Sequence, residues 1–246
     1  MSGQSCLVAN DWICGEYVRS RGQELTDATV QHVWITAASV AIGVVVAFPL
    51  ALLARRYRGV AGPILGLTTV LYSIPSLAMF SLLLPLFGLS ASLVITGLVL
   101  YSLTILARNI LAGLHAVPEE AREAARGMGY GPLRLLWEVE LPLALPSVLA
   151  GVRIATVSTV ALTTVGYIVD YGGLGTLIIS GLHSDFKAQV LTASVICVLL
   201  ALVADLLLLA LQRLLTPWAR AGRTPRRGLI RRIRRRSGPA KVAEAA

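Results

Sequence analysis

Five long apolar runs, at 33–53, 63–87, 91–111, 147–169 and 190–212, constrain this chain more than any other feature. Each is close to or above the roughly 20 residues that a helix needs to cross about 30 Å of hydrocarbon at 1.5 Å per residue. Backbone polar groups in lipid must be satisfied internally, so such runs are helices or barrel strands. These runs are continuous and do not alternate, which excludes a barrel. With 56% hydrophobic and 14% charged residues and a mean hydropathy of +0.74, the chain has too few polar groups to clothe a soluble globule of its size. The expected class is an all-α integral membrane protein with five transmembrane helices.

Basic residues set the expected orientation, because short loops rich in Lys and Arg stay in the cytoplasm. With the N-terminus outside, the connectors after spans one, three and five are cytoplasmic. They hold Arg55, Arg56, Arg58, Arg122, Arg126, Arg134 and a basic tail, whereas the outer side keeps only Arg19, Arg21 and Lys187. The first thirty residues carry charges of both signs and no apolar core, unlike a cleavable signal peptide. This topology puts Cys6 and Cys14 in an oxidising compartment, where they either form a small disulfide loop or remain two free thiols. Cys197 lies within an apolar run and reads as packing. The tail segment RAGRTPRRGLIRRIRRR, 220–236, is suited either to anionic lipid head groups or to a solvated anchor. No aromatic or base-reading partners surround it, so no nucleic acid is expected.

Catalytic constellations are scarce. His32, His115 and His183 are scattered, with no HExxH, no Gly-x-Ser-x-Gly and no GxxxxGK[ST]. The GMGYG at 127–131 follows a helix, not a strand, so it is not a dinucleotide loop. Neither metal nor cofactor is expected. Asp205, and Arg108 with Asn109, intrude at membrane depth, either as functional groups or as snorkelling and interhelical partners. In SIPSLA, 73–78, Pro75 removes one backbone hydrogen bond in mid-membrane, so Tyr72, Ser73, Pro75 and Ser76 are candidates to border a pathway. Ser147, Gly151, Ala155, Thr159 and Thr163 recur every fourth residue, a stripe suited to close helix packing. Thr159 and Thr163 are retained as further pathway candidates. The glycines of DYGGLGTLI, 170–178, predict a flexible external turn before a re-entrant or interfacial segment.

The connector between the third and fourth runs is different in kind. Pro118 with Glu119, Glu120 and Glu123 makes a helix start, since proline suits the first turn and acids favour the positive dipole end. Ala121, Ala124, Ala125 and Met128 lie near one face, and the helix should end at Gly127 or Gly129. Pro132 opens a second short helix whose Leu133, Leu136 and Trp137 are placed to pack back on the bundle, with Leu141 and Pro142 stopping it. The result is a helical knob shaped for contact with another molecule.

Glu123-Ala124-Ala125, three residues, Gly129, nine residues, Val139, one residue, Leu141-Pro142 resembles the EAA signature of permease subunits of type I binding-protein-dependent ABC importers, with Val for the usual Ile. The resemblance implies a MetI-like type I ABC permease fold of five spans. The knob would be the coupling helix, with Glu123, Ala124, Ala125, Gly127, Gly129, Leu141 and Pro142 at the ATPase junction. It covers about 28–212, leaving 1–27 as an extracytoplasmic segment and 213–246 as the tail. Implied partners are an ABC ATPase subunit dimer, an extracytoplasmic substrate-binding protein, a second permease subunit (the same chain or a paralogue) and membrane lipids. Hydrolysis would belong to the ATPase, so this chain would be no enzyme and carry no cofactor. LYSIPSLAMF, YSLTILARN, RGMG, VELPLALPSVLAGVR and GGLG are similar to the osmoprotectant branch, which imports glycine betaine, choline, carnitine or related quaternary amines. Alternatives are a permease for methionine or a sulfonate, a non-transporting scaffold, and an intramembrane enzyme built on Asp170, Asp205 or Arg108.

Overall fold

The computed structural model describes residues 5–218, and every regular element among them is helical. The basic segment 220–236 lies outside the described residues. A short α1 (Gly15–Ser20) leads into α2 (Gly22–Arg56), α3 (Arg58–Ser73), α4 (Ser76–Phe87), α5 (Ala91–His115), α6 (Glu119–Gly127) and α7 (Pro132–Leu135). A π-helical turn, Leu136–Glu140, runs into α8 (Leu141–Thr163) and a 3-10 turn, Thr164–Val169; α9 (Leu174–His183) and α10 (Lys187–Leu215) follow. By length and composition α2, α5, α8 with its flanking turns, and α10 each suffice to cross a membrane.

The pair α3 and α4 is apolar and long enough to make a fifth crossing only when the two are taken together, and their axes differ by 101°. This is a break rather than the kink that Pro75 predicts. Proline disfavours helical geometry at the residue before it, and Ile74 is extended at ψ 129°. The Tyr101 hydroxyl donates to the Ile74 carbonyl, which satisfies an acceptor that the interrupted helix leaves open.

Small residues let the spans approach. Ala47, Ala51 and Ala54 of α2, Ala107 of α5, and Ala144 and Ala155 of α8 form the buried seam around which the larger side chains of α5 pack. A Cβ on Gly151 would stand 2.4 Å from the Asn109 side chain, so the stripe on α8 is a packing face against α5. The GGLG turn is equally close-packed and not a flexible hinge: a Cβ on Gly175 would lie 2.2 Å from the Thr164 carbonyl oxygen. The Gly173 N–H donates to the Gln31 side-chain oxygen at 2.9 Å, which fastens the turn to α2.

Helix α10 stands apart, because none of its most apolar stretch is buried. Its first turns pack on α9 and the head through Ala188 and Ala193, and farther along polar contacts hold it. Arg153 of α8 donates to both carboxylate oxygens of Asp205 at 3.0 and 2.9 Å, and Gln212 donates to the Pro146 carbonyl at 2.9 Å. Asp205 is thus an interhelical partner. Because both side chains are about a quarter exposed, 24% and 30%, we expect Arg153→Ala to cost about 1–2 kcal/mol, below the range for fully buried pairs. Thermal unfolding in detergent checks this: the double variant Arg153→Met/Asp205→Leu should recover most of the loss, and a single variant with an unchanged midpoint would exclude the clasp.

At the opposite end from Arg55 and Arg56 the N-terminal head folds onto the turn between α9 and α10. Cys6 and Cys14 are joined as a disulfide with Cα atoms 5.5 Å apart. The Asn10 side chain donates to the Asp185 carbonyl at 2.6 Å and accepts from the Lys187 N–H at 3.0 Å, while Tyr17 meets Phe186 edge to face at 5.2 Å. Alkylation of the intact protein without reductant is expected to leave both head cysteines unlabelled, and full labelling would reject the bridge. Replacing them by serine should lower head stability by about 2–3 kcal/mol, the loop-closure value for so short a ring.

Candidate functional site

The knob between α5 and α8 is built around one buried acid. Glu140, 3% exposed, ends the π-helical turn. That turn exists because Pro142 has no N–H to return to the fourth carbonyl behind it, and Leu141 donates five residues back to Leu136 instead. Arg55 from the end of α2 grips both oxygens of Glu140, one at 2.6 Å. Arg122 from α6 donates to Glu140 through Nε at 2.9 Å, to the Leu114 carbonyl of α5 at 2.6 Å, and to Glu119 at 2.7 Å. One carboxylate therefore binds α2, α6 and α8, and the second guanidinium extends the junction to α5. The charges cancel within the cluster, and every group is hydrogen-bonded, as burial of charge requires. Its outer member, Glu119, is held below the usual carboxylate range, chiefly by the Arg122 hydrogen bond.

This junction fixes which face of α6 is free. Ala125 is buried and Ala121 half-buried, one turn apart, beside Arg122. Glu123, Ala124, Gly127, Met128 and Gly129 are exposed, so Ala124 and Met128 do not share the inward face with Ala121 and Ala125. Glu123 makes no hydrogen bond or ion pair among the described residues. The helix ends at Gly127, and Gly129 takes φ +84° to reverse the chain, with open space around the position where a Cβ would stand. The following helix differs from expectation: Leu133 and Trp137 are exposed at 74% and 58%, and Leu135 is the buried residue. Nor do Leu141 and Pro142 stop the helix; the chain stays helical from Pro132 to Val169. Proline at the second position of α8 is tolerated once the π turn has absorbed the missing bond.

The remaining candidates fall in two places. Tyr72, Ser73 and Pro75 are exposed, and Ser76 half-exposed, at the break between α3 and α4, where Tyr72 meets Tyr101 edge to face at 6.0 Å. Arg108 is exposed on the same side and donates to Thr69 of α3 at 2.8 Å. Thr159 and Thr163 are buried in the α2–α8 seam, where Thr163 faces the Thr36 hydroxyl at 3.2 Å. Asn109 caps its own helix turn at Ile105 and accepts from Ser147 at 3.1 Å, a packing role. Of the residues named for the enzyme reading, Asp205 is held by Arg153 and Arg108 by Thr69. Sequence reasoning missed Glu140 and Arg55 as a pair. The available signal was an acid set two residues before Pro142 in an apolar stretch, since a buried acid requires a partner.

The profile of the family described as binding-protein-dependent transport system inner membrane component matches residues 33–221. The chain is 37% identical over 207 residues to the osmoprotectant import permease protein OsmW of Salmonella typhimurium, covering 82% of this chain and 96% of that one. It is 33% identical to the choline transport system permease protein OpuBB of Bacillus subtilis, with 82% and 93% covered. The carnitine transport permease protein OpuCB of Listeria monocytogenes is 32% identical, with the same shares covered. Among solved structures, an inward-facing conformation of the MetNI methionine ABC transporter superposes with a TM-score of 0.73 at 22% identity, over 80% of this chain and 98% of that one. At that identity the likeness speaks for the fold alone.

Proposed function

We propose, for a chain that belongs to the family of binding-protein-dependent transport system inner membrane components, a role as the permease subunit of an ATP-driven importer of osmoprotectants such as glycine betaine, choline or carnitine. The observation that carries the substrate class is the 37% identity to an osmoprotectant permease across 82% of the chain. Similarity to choline and carnitine permeases points the same way.

The finer mechanism is our reading. The basic end faces the cytoplasm and the Cys6–Cys14 head faces out. The exposed residues Glu123, Ala124, Gly127 and Gly129 of α6 and its C-terminal turn seat in a groove of a separate ATPase subunit. When ATP draws the two ATPase subunits together, the knob moves. The Glu140 junction carries that movement to α2, α5 and α8 together, turning the bundle from inward-facing to outward-facing. Substrate then enters from an external binding protein. Cation–π cages for a quaternary ammonium are expected in that protein, and the 6% aromatic content here suits a weakly binding path. The broken crossing at Tyr72, Ser73, Pro75 and Ser76 borders that path, and a second permease subunit, identical or paralogous, completes it. Leu141 and Pro142 act at the junction through the π turn.

Reconstitution with the ATPase and binding protein tests this reading. ATP-dependent uptake of labelled glycine betaine is the expected result. Uptake of methionine or a sulfonate instead would reassign the solute, and no uptake of any solute would favour a scaffold.

A further inference from the structure

Between the basic end of α2 and the segment joining α6 to α7 lies a cleft of about 680 Å³. Its lining mixes apolar and basic groups. Leu52, Leu133 and Leu136 make an apolar wall, and the exposed Arg56 and Arg126 belong to the same lining. The only acid lining it, Glu140, is already held by Arg55 and Arg122. Arg126 has only an exposed contact with Glu119 at 3.1 Å, and Arg56 has no partner among the described residues. One turn along α2 from Leu52, toward the middle of the span, Phe48 packs on the exposed Trp137 with ring centres 6.0 Å apart. The apolar wall therefore continues toward hydrocarbon, through an aromatic pair of the kind that sits at head-group level, while the guanidinium groups lie at the water side.

We propose that this cleft binds an anionic phospholipid of the adjoining leaflet, its phosphate between Arg56 and Arg126 and an acyl chain along Leu52, Phe48 and Trp137. A soluble anion would satisfy the arginines but leave the apolar wall and most of the volume unfilled. A neutral lipid would fill the wall and leave Arg56 without a counter-charge and Arg126 with only its exposed contact to Glu119. The lipid would brace α6 and α7 against the end of α2. Binding itself does not depend on the transport reading above.

The test is retention of phosphatidylglycerol and of phosphatidylcholine by the purified full chain in uncharged detergent, measured by native mass spectrometry. The wild type is compared with Arg56→Gln/Arg126→Gln. Both changes are at exposed positions, and the basic tail is common to both proteins, so its contribution cancels. The double variant is expected to hold one phosphatidylglycerol fewer, with affinity reduced about thirtyfold for two lost guanidinium contacts and phosphatidylcholine unaffected. Trp137→Gln should also weaken phosphatidylglycerol while leaving binding of free glycerol phosphate unchanged. Equal phosphatidylglycerol retention by wild type and double variant would overturn the proposal. So would displacement of the lipid by glycerol phosphate at equal concentration, or a loss in the double variant confined to ATPase binding.

Discussion

Glu140→Ala is expected to abolish ATP-dependent uptake and to lower the thermal midpoint of the isolated subunit. Removing the carboxylate leaves Arg55 and Arg122 facing each other, with side chains only 23% and 12% exposed. Breaking a buried pair in this way costs 3–5 kcal/mol, and the residual exposure places the cost at about 3 kcal/mol. Glu140→Gln keeps the size and hydrogen-bonding capacity but not the charge. It is therefore expected to restore part of the stability without restoring coupling, so that ATP hydrolysis continues while uptake stays low. If Glu140→Gln transports like the wild type, the junction is only a structural filler. If Glu140→Ala unfolds outright, the glutamine variant still decides the matter.

Gly129→Asp is expected to reduce uptake by at least about tenfold while leaving insertion and folding intact. The residue adopts φ +84°, which aspartate and asparagine tolerate better than other L-residues, and the space around it is open. The effect then comes from a new charge that the proposed docking face would desolvate without a partner, which costs several kcal/mol whatever its sign. Gly129→Asn tests this directly, because it shares the backbone demand and lacks the charge; it should retain most uptake. Glu123→Lys, which reverses the unpaired charge on the same face, should behave as Gly129→Asp does. Equal loss in the asparagine and aspartate variants would attribute the defect to the turn, and wild-type uptake in Glu123→Lys would argue against docking through α6.

The spans, the exposed ends of the knob and the family pattern were legible because each rests on local spacing. Runs of about 20 apolar residues announce a crossing whatever they pack against, and Pro118 with its acids fixes the start of α6 by itself. What was not legible depended on pairing across distance. Glu140 finds Arg122 18 residues away and Arg55 85 residues away, and no period in the sequence records either. Arg153 passed unnoticed beside Asp205 for the same reason, 52 residues apart. Of Leu133, Leu136 and Trp137, expected to pack back on the bundle, Leu136 does so while Leu133 and Trp137 stay exposed; the π turn, which starts at Leu136, shifts the register of Trp137, and only the flanking Pro142 hints at that. The GGLG turn looked supple because glycine permits freedom, yet here its bare Cα atoms serve contact with Thr164, Tyr167 and His32.

The clasp formed by Asn10 has a consequence for how the molecule is made. Its side chain reaches residues 175 and 177 positions downstream, so the head, made well before α10, has no partner for Asn10 until that helix begins. The three N-terminal crossings can be threaded before that meeting, but the outer seam closes only when α10 arrives. In the proposed orientation a chain stalled before Lys187 would therefore present an unfastened head to extracytoplasmic proteases, and resistance to such cleavage would report that synthesis had reached α10.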